Sequence, residues 1–131
     1  MAADIGAWIV AKVIADATLT GLIGSRIYPE WAPQQDAVPF VTYSVVERPH
    51  GVNKTERSRW AMVAVEFRTW GADYDQIKEI DRAIQDVFDF GEGVAGGVTV
   101  DGANWAESRV AQSEQMERLV CVSNFTFRML R

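Results

Sequence analysis

The chain has one cysteine and one histidine in 131 residues. A disulfide framework, a Cys/His zinc site and every two-histidine metal motif are therefore excluded. A Ser-His-Asp or Cys-His site would have to use His50, the single imidazole. Basic excess is lacking as well: 18 Asp and Glu oppose 13 Lys and Arg, for a net charge of −5. That balance argues against a free-standing nucleic-acid binder. No apolar run approaches the roughly 20 residues that span a bilayer, and Met1-Ala2-Ala3-Asp4 has no basic n-region of a secretory signal. The reading is a chain that is cytosolic at synthesis, in which the sequons at Asn53 and Asn124 are chance matches. Leu is scarce beside Val, Ile and Ala, whereas Trp (5), Phe (6) and Tyr (3) are plentiful. With 48 % hydrophobic and 24 % charged residues, the composition is that of a globular chain. Its length is that of one domain, residues 1–131, able to bury about two-thirds of its unfolded surface.

Hydrophobic spacing predicts a helix over 4–18, on Ile5, Trp8, Ile9, Val13 and Ile14, with Asp4 as N-cap. That helix is expected to fail between Thr18 and Gly24, where β-branched residues meet two glycines. Arg26 to Pro29 reads as a short extended piece, and 29–39 as a proline-rich loop. Phe40 to Glu47 reads as a strand. So does Trp60 to Trp70, with Ala61, Val63, Val65 and Phe67 on one face and Trp60, Met62, Glu66, Arg68 and Trp70 on the other. Asp73 caps a second helix to about Asp89, whose apolar stripe is Tyr74, Ile77, Ile80, Ile84, Val87 and Phe88. A glycine-rich loop, a short strand at 98–100, a turn at Asp101-Gly102 and strands near 105–112 and 117–129 complete the order. The expected fold class is α+β: a single domain with a largely antiparallel sheet and two helices packed on one face.

Few residues carry chemistry. Gly91-Glu92-Gly93-Val94-Ala95-Gly96 matches the dinucleotide fingerprint by letter, but that site needs a strand before the glycines and a helix after them. Here the pattern places a helix before and a strand after, which points to a loop with a glycine cap. Cys121, inside an apolar strand, reads as buried and inert. Catalytic, cofactor-binding and metal residues are expected to be none. Two surfaces remain. Residues 73–92 carry seven acids against Lys78 and Arg82, which equals the whole net charge; helical spacing is expected to scatter them around the cylinder. Of these, Asp75, Glu79 and Asp86 are candidates for a directed acidic face. The segment Arg48 to Arg59 has the opposite sign. Its Arg48, His50, Lys54, Arg57 and Arg59, flanked by Trp60 and joined by Trp31 and Trp70, are candidate interface residues, since Arg and Trp are common anchors.

The pieces Gly24-Ser25-Arg26-Ile27-Tyr28-Pro29, Ala32-Pro33-Gln34 and Pro39-Phe40-Val41-Thr42-Tyr43 resemble the tail-completion, or tail-terminator, family of tailed bacteriophages and related prophage-derived particles. The strand ending Phe67-Arg68-Thr69-Trp70-Gly71, the helix beginning near Tyr74 and the C-terminal strand pair follow the same layout. The resemblance implies a non-enzymatic virion protein at the head-proximal end of the tail. It implies a hexameric ring, a homo-oligomer that stops tube polymerisation. Its partners would be the tail tube protein and the head-completion or neck proteins, with DNA passing through unbound and no membrane involved. A ring needs one patch to meet a different patch, and an acidic face with a basic loop suits that. The competing readings are a head-completion or neck connector ring protein, a ligand-binding α+β domain, and a nucleic-acid-binding module.

Overall fold

In the computed structural model, described for residues 5–30, 39–49, 60–113 and 118–130, helix α1 spans Ile5–Ala15 and buries Ile5, Trp8, Ile9 and Val13. Asp4, the expected N-cap, lies outside the described residues. The chain does not leave helical structure after Ala15. A second helix, α2 (Ala17–Ile23), starts at once, bent 91° from the first. Asp16 produces the break: its backbone is extended and its carboxylate accepts from the Leu19 N–H at 2.9 Å. Thr20 strengthens the turn, its hydroxyl donating to the Asp16 carbonyl at 3.0 Å. The expectation of a loop from Thr18 is therefore corrected. A side-chain cap together with burial of Leu19 and Ile23, one turn apart, outweighs the weak propensity of two threonines and Gly21. Gly24, at φ +63°, ends the helix.

Three short or long strands follow: β1 (Ile27–Pro29), β2 (Phe40–Pro49) and β3 (Trp60–Gly71). Then come helix α3 (Tyr74–Phe88) and strands β4 (Gly93–Ala95), β5 (Val98–Ser113) and β6 (Arg118–Leu130). The fold is α+β, with three helices rather than two among the described residues and one six-stranded sheet in the order β1-β2-β3-β6-β5-β4. The sheet is mixed. β1 runs parallel to β2, while the β2–β3, β3–β6, β6–β5 and β5–β4 pairs are antiparallel. β2 reaches Pro49, two residues past its expected end; proline is tolerated there because, among the described residues, β1 covers β2 only at 41–43 and nothing pairs with the outer side of this stretch.

The alternation in β3 is as read. Ala61, Val63, Val65 and Phe67 are buried, Arg68 is exposed, and Met62, Glu66 and Trp70 are half-buried. The buried row joins Val41 and Tyr43 of β2, Val98, Val100 and Ala103 of β5, and Phe125, Phe127 and Met129 of β6, together with the apolar residues of all three helices, in one core. Each fully buried side chain of this size contributes roughly 1.5–3 kcal/mol. α3 is capped by Asp73, whose carboxylate accepts from the Gln76 N–H at 2.8 Å. Two positions of α3 depart from expectation. Tyr74, assigned to the stripe, is the first residue of the helix and is 55 % exposed. Asp81, one turn after Ile77, is buried.

The C-terminal half departs from expectation twice. Asp101-Gly102 is not a turn. β5 runs straight through it, and the register slips there and again between Trp105 and Glu107, so these are bulges in one 16-residue strand. The glycine-rich run is not a plain loop either. β4 lies inside it and pairs with β5 around the two-residue turn Gly96-Gly97 (φ +58° and +77°), for which two consecutive positive φ angles are required.

Candidate functional site

The dinucleotide reading fails on geometry. α3 precedes the glycines and β4 and β5 follow them, so the run does not open a helix as that fingerprint requires. Among the described residues, no group of three His, Cys, Asp or Glu side chains is placed to hold a metal ion. One buried polar cluster lies between α3 and the sheet. The Ser123 hydroxyl donates to Asp81, and the Gln85 amide donates to the other carboxylate oxygen at 2.8 Å. The hydroxyls of Ser123 and Ser108 share a hydrogen bond of 2.8 Å, and the Trp105 indole N–H donates to Ser108 at 2.9 Å. Cys121 is buried on the same face, and loss of solvent together with the negative charge of Asp81 pushes its thiol from 9.0 up to about 11. A thiol held protonated is no nucleophile, and among the described residues Ser123 has only the weakly basic Asp81 carboxylate beside it, with no imidazole. The cluster is a structural network.

The surfaces are more distinctive. On α3, the exposed residues Asp75, Glu79, Arg82 and Asp86 recur at spacings of four, three and four, which is one stripe along the helix. The acids of 73–92 are thus not scattered evenly. Asp73 caps the helix start, Asp89 accepts from the Trp105 N–H at 2.9 Å, Asp81 is buried, and Asp75, Glu79 and Asp86 share the solvent face.

The candidate residues of the basic segment are less accessible to description. Trp31, His50, Lys54, Arg57 and Arg59 lie outside the described residues. Arg48 and Trp60 are the strand residues opposite Met62 and Leu130 in their ladders. Trp70 is half-buried and held from within its own chain: it stacks on Phe40 with centroids 6.2 Å apart, and its indole N–H donates to the Thr42 hydroxyl at 3.3 Å. Next to it on the outer sheet face Arg68 meets Glu66 at 2.5 Å, and toward the other end of the sheet Arg128 meets Asp101 at 3.3 Å.

One surface residue escapes the sequence reading. Phe90 is 80 % exposed and sits at φ +59°, a left-handed conformation that a bulky side chain rarely adopts. It stands just past the α3 stripe and just before the glycines, which is the one signal for it in the sequence: an aromatic where the helix pattern has already ended. Asp81 also had a signal, since it falls four residues after Ile77 and three before Ile84, inside the apolar stripe.

The family model described as tail completion protein gp17 matches residues 7–129. The chain belongs to that family. It is a phage tail structural protein, and its place is the tail of the virion. Among solved structures, the fold is similar to that of a chain in the virion of a native gene transfer agent particle, with a TM-score of 0.75 and 19 % identity over 97 % of each chain. No curated protein matches the chain by sequence.

Proposed function

We propose that this tail completion protein forms a hexameric ring at the head-proximal end of the tail tube, ends tube polymerisation there and joins the tail to head-completion or neck proteins. The observation that carries this reading is the family match across residues 7–129. The surface chemistry supports it. One helix face presents Asp75, Glu79 and Asp86, and the sequence from Arg48 to Arg59 carries four basic residues against Glu56. Unlike patches on one subunit suit head-to-tail contact around a closed ring. In this reading, Trp31, Arg48, His50, Lys54, Arg57, Arg59, Trp60 and Trp70 contribute to the contact with a neighbouring subunit or the tube. The acids of α3 meet that basic segment or face the bore, where they repel passing DNA without binding it.

Electron microscopy of the purified protein mixed with its tail tube protein tests the reading. The expected result is a six-fold cap at one end of each tube. A double charge reversal, Arg57→Glu with Arg59→Glu, is expected to abolish the cap while leaving the subunit folded by circular dichroism. Decoration along the whole tube, or none, refutes the proposal; a ring that binds only the portal side makes it a neck connector instead.

A further inference from the structure

Among the described residues, the sheet has two edge stretches without a backbone partner, at opposite corners. On one side, β4 covers β5 only at Val98–Val100. Beyond β4, the Phe90 N–H donates to the Ala103 carbonyl at 2.8 Å and the Asp89 carboxylate accepts from the Trp105 N–H. From Ala106 to Ser113, no described residue pairs with that edge of β5. On the other side, β1 covers β2 only at 41–43, and the Glu30 N–H donates to the Tyr43 carbonyl at 2.8 Å. From Val45 to Pro49, no described residue donates to or accepts from the outer backbone edge of β2. A row of unmade backbone hydrogen bonds is a template for an incoming strand.

Exposed apolar side chains stand at or next to both stretches: Trp105 and, bonded at Ala103, Phe90 just before the open length of β5, and Val46 on β2. Phe90 keeps a left-handed backbone, anchored by its N–H on the Ala103 carbonyl, and shows its ring to solvent. The charges are opposed as well. Asp86, Asp89 and Glu92 surround Phe90 in sequence with no basic residue among 86–92, whereas Arg48 lies in the open stretch of β2, followed in sequence by Lys54, Arg57 and Arg59.

We infer that the open edge of β5, from Ala106 onward, pairs with the open β2 edge of a second copy of this chain, with Phe90 packed into the joint. The two edges differ and lie at opposite corners of one sheet, so the contact is head-to-tail and repeats from copy to copy until it closes. This inference rests on the ring reading and specifies which strands make the ring.

Two measurements test it. The substitution Phe90→Gly removes the ring and also suits φ +59°, so it relieves the backbone rather than harming the fold. The expected result is a melting temperature equal to or above that of the unmodified subunit and a dissociation constant for assembly raised at least tenfold, read by mass photometry. Hydrogen–deuterium exchange of the unmodified protein, alone and assembled with the tail tube protein, reads the edges directly. Peptides covering 106–113 and 44–49 should both slow at least tenfold on assembly. Unaltered assembly of the variant with both edges exchanging as in the free subunit overturns the inference and leaves the ring standing. Protection of 106–113 alone also overturns it, and identifies a symmetric pair or the tube protein as occupant. Absence of any ring under all conditions overturns the ring reading itself.

Discussion

The layer between helices and sheet has two halves built on different principles. In one half, Trp8, Phe67, Phe88, Phe125 and Phe127 pack ring against ring, with Phe67 stacked on Phe88 at 5.1 Å and Phe125 set edge-on to Phe67 at 5.5 Å. In the other half, the same faces of the same strands carry Thr69, Cys121 and Ser123, covered by Asp81. The boundary is one cross-strand row wide. Phe67 stands opposite Ser123, and the next row is Thr69 opposite Cys121. The aromatic half gains from area and ring geometry. The polar half gains only to the extent that each buried group finds its partner. The comparison teaches where this small protein keeps its stability and where it keeps orientation. Shape-tolerant dispersion holds α1 and the end of α3, whereas directed hydrogen bonds fix α3 in register over β6.

The largest break in this contrast is expected in the aromatic half. Phe67→Ala removes a ring fully buried among Tyr43, Phe88 and Phe125, at a cost of about 3–5 kcal/mol. Urea unfolding followed by tryptophan fluorescence measures it; a loss under 1 kcal/mol contradicts the account of the core.

A pH titration probes the polar half. The Cys121 thiol ionises at about 11 in the folded chain against 9.0 as a free thiol. Folding therefore favours the protonated form. Its contribution is complete below pH 9 and is lost as pH rises toward 11, by about 1.4 kcal/mol per pH unit in that window. Denaturant midpoints at pH 8, 9, 10 and 11 read the slope. In Cys121→Ala this component of the slope should vanish, and an identical slope in that variant would refute the assignment.

The smallest effect carries the opposite sign. Among the described residues, the Thr69 hydroxyl is buried without a hydrogen-bond partner. Thr69→Val keeps the shape and removes the orphan, so stability should rise by about 1 kcal/mol. A comparable loss would reveal a bonded partner and bring Thr69 into the polar network.

Legibility in the sequence followed how local each cause was. The β3 alternation and most of the α3 stripe could be read because one strand and one helix each bury one face. The α1–α2 break could not be read from propensity. It depends on Asp16 acting as a cap in mid-run and on Ile23 reaching the core. The bulges at Asp101 and Ala106 are relations between β5 and β6, which a single strand's pattern does not contain. For the candidate site, Asp75, Glu79 and Asp86 were legible as an outward acidic face, although their alignment in one stripe was not drawn. Asp81 looked like one more surface acid because a carboxylate is seldom buried without partners, and its partners Ser123 and Gln85 lie 42 and 4 residues away. Phe90 has one local mark, an aromatic past the end of the helix pattern, but its exposure depends on how the chain turns onto β5.

The β4 turn has a consequence for time as well as for shape. Gly96, at φ +58°, sits so close to α1 that an added Cβ would lie 2.6 Å from the Ala7 carbonyl oxygen, and the Trp8 indole donates to the Gly93 carbonyl at 3.2 Å. Helix α1 is thus closed over by a hairpin that lies some 85 residues later in the chain. Until that hairpin emerges, Trp8 lacks its hydrogen-bond partner, and α1 waits beside a sheet that is still being synthesised. Truncation after β3 would therefore leave Trp8 of α1 without Phe88, Gly93 and Phe127, the groups that enclose it.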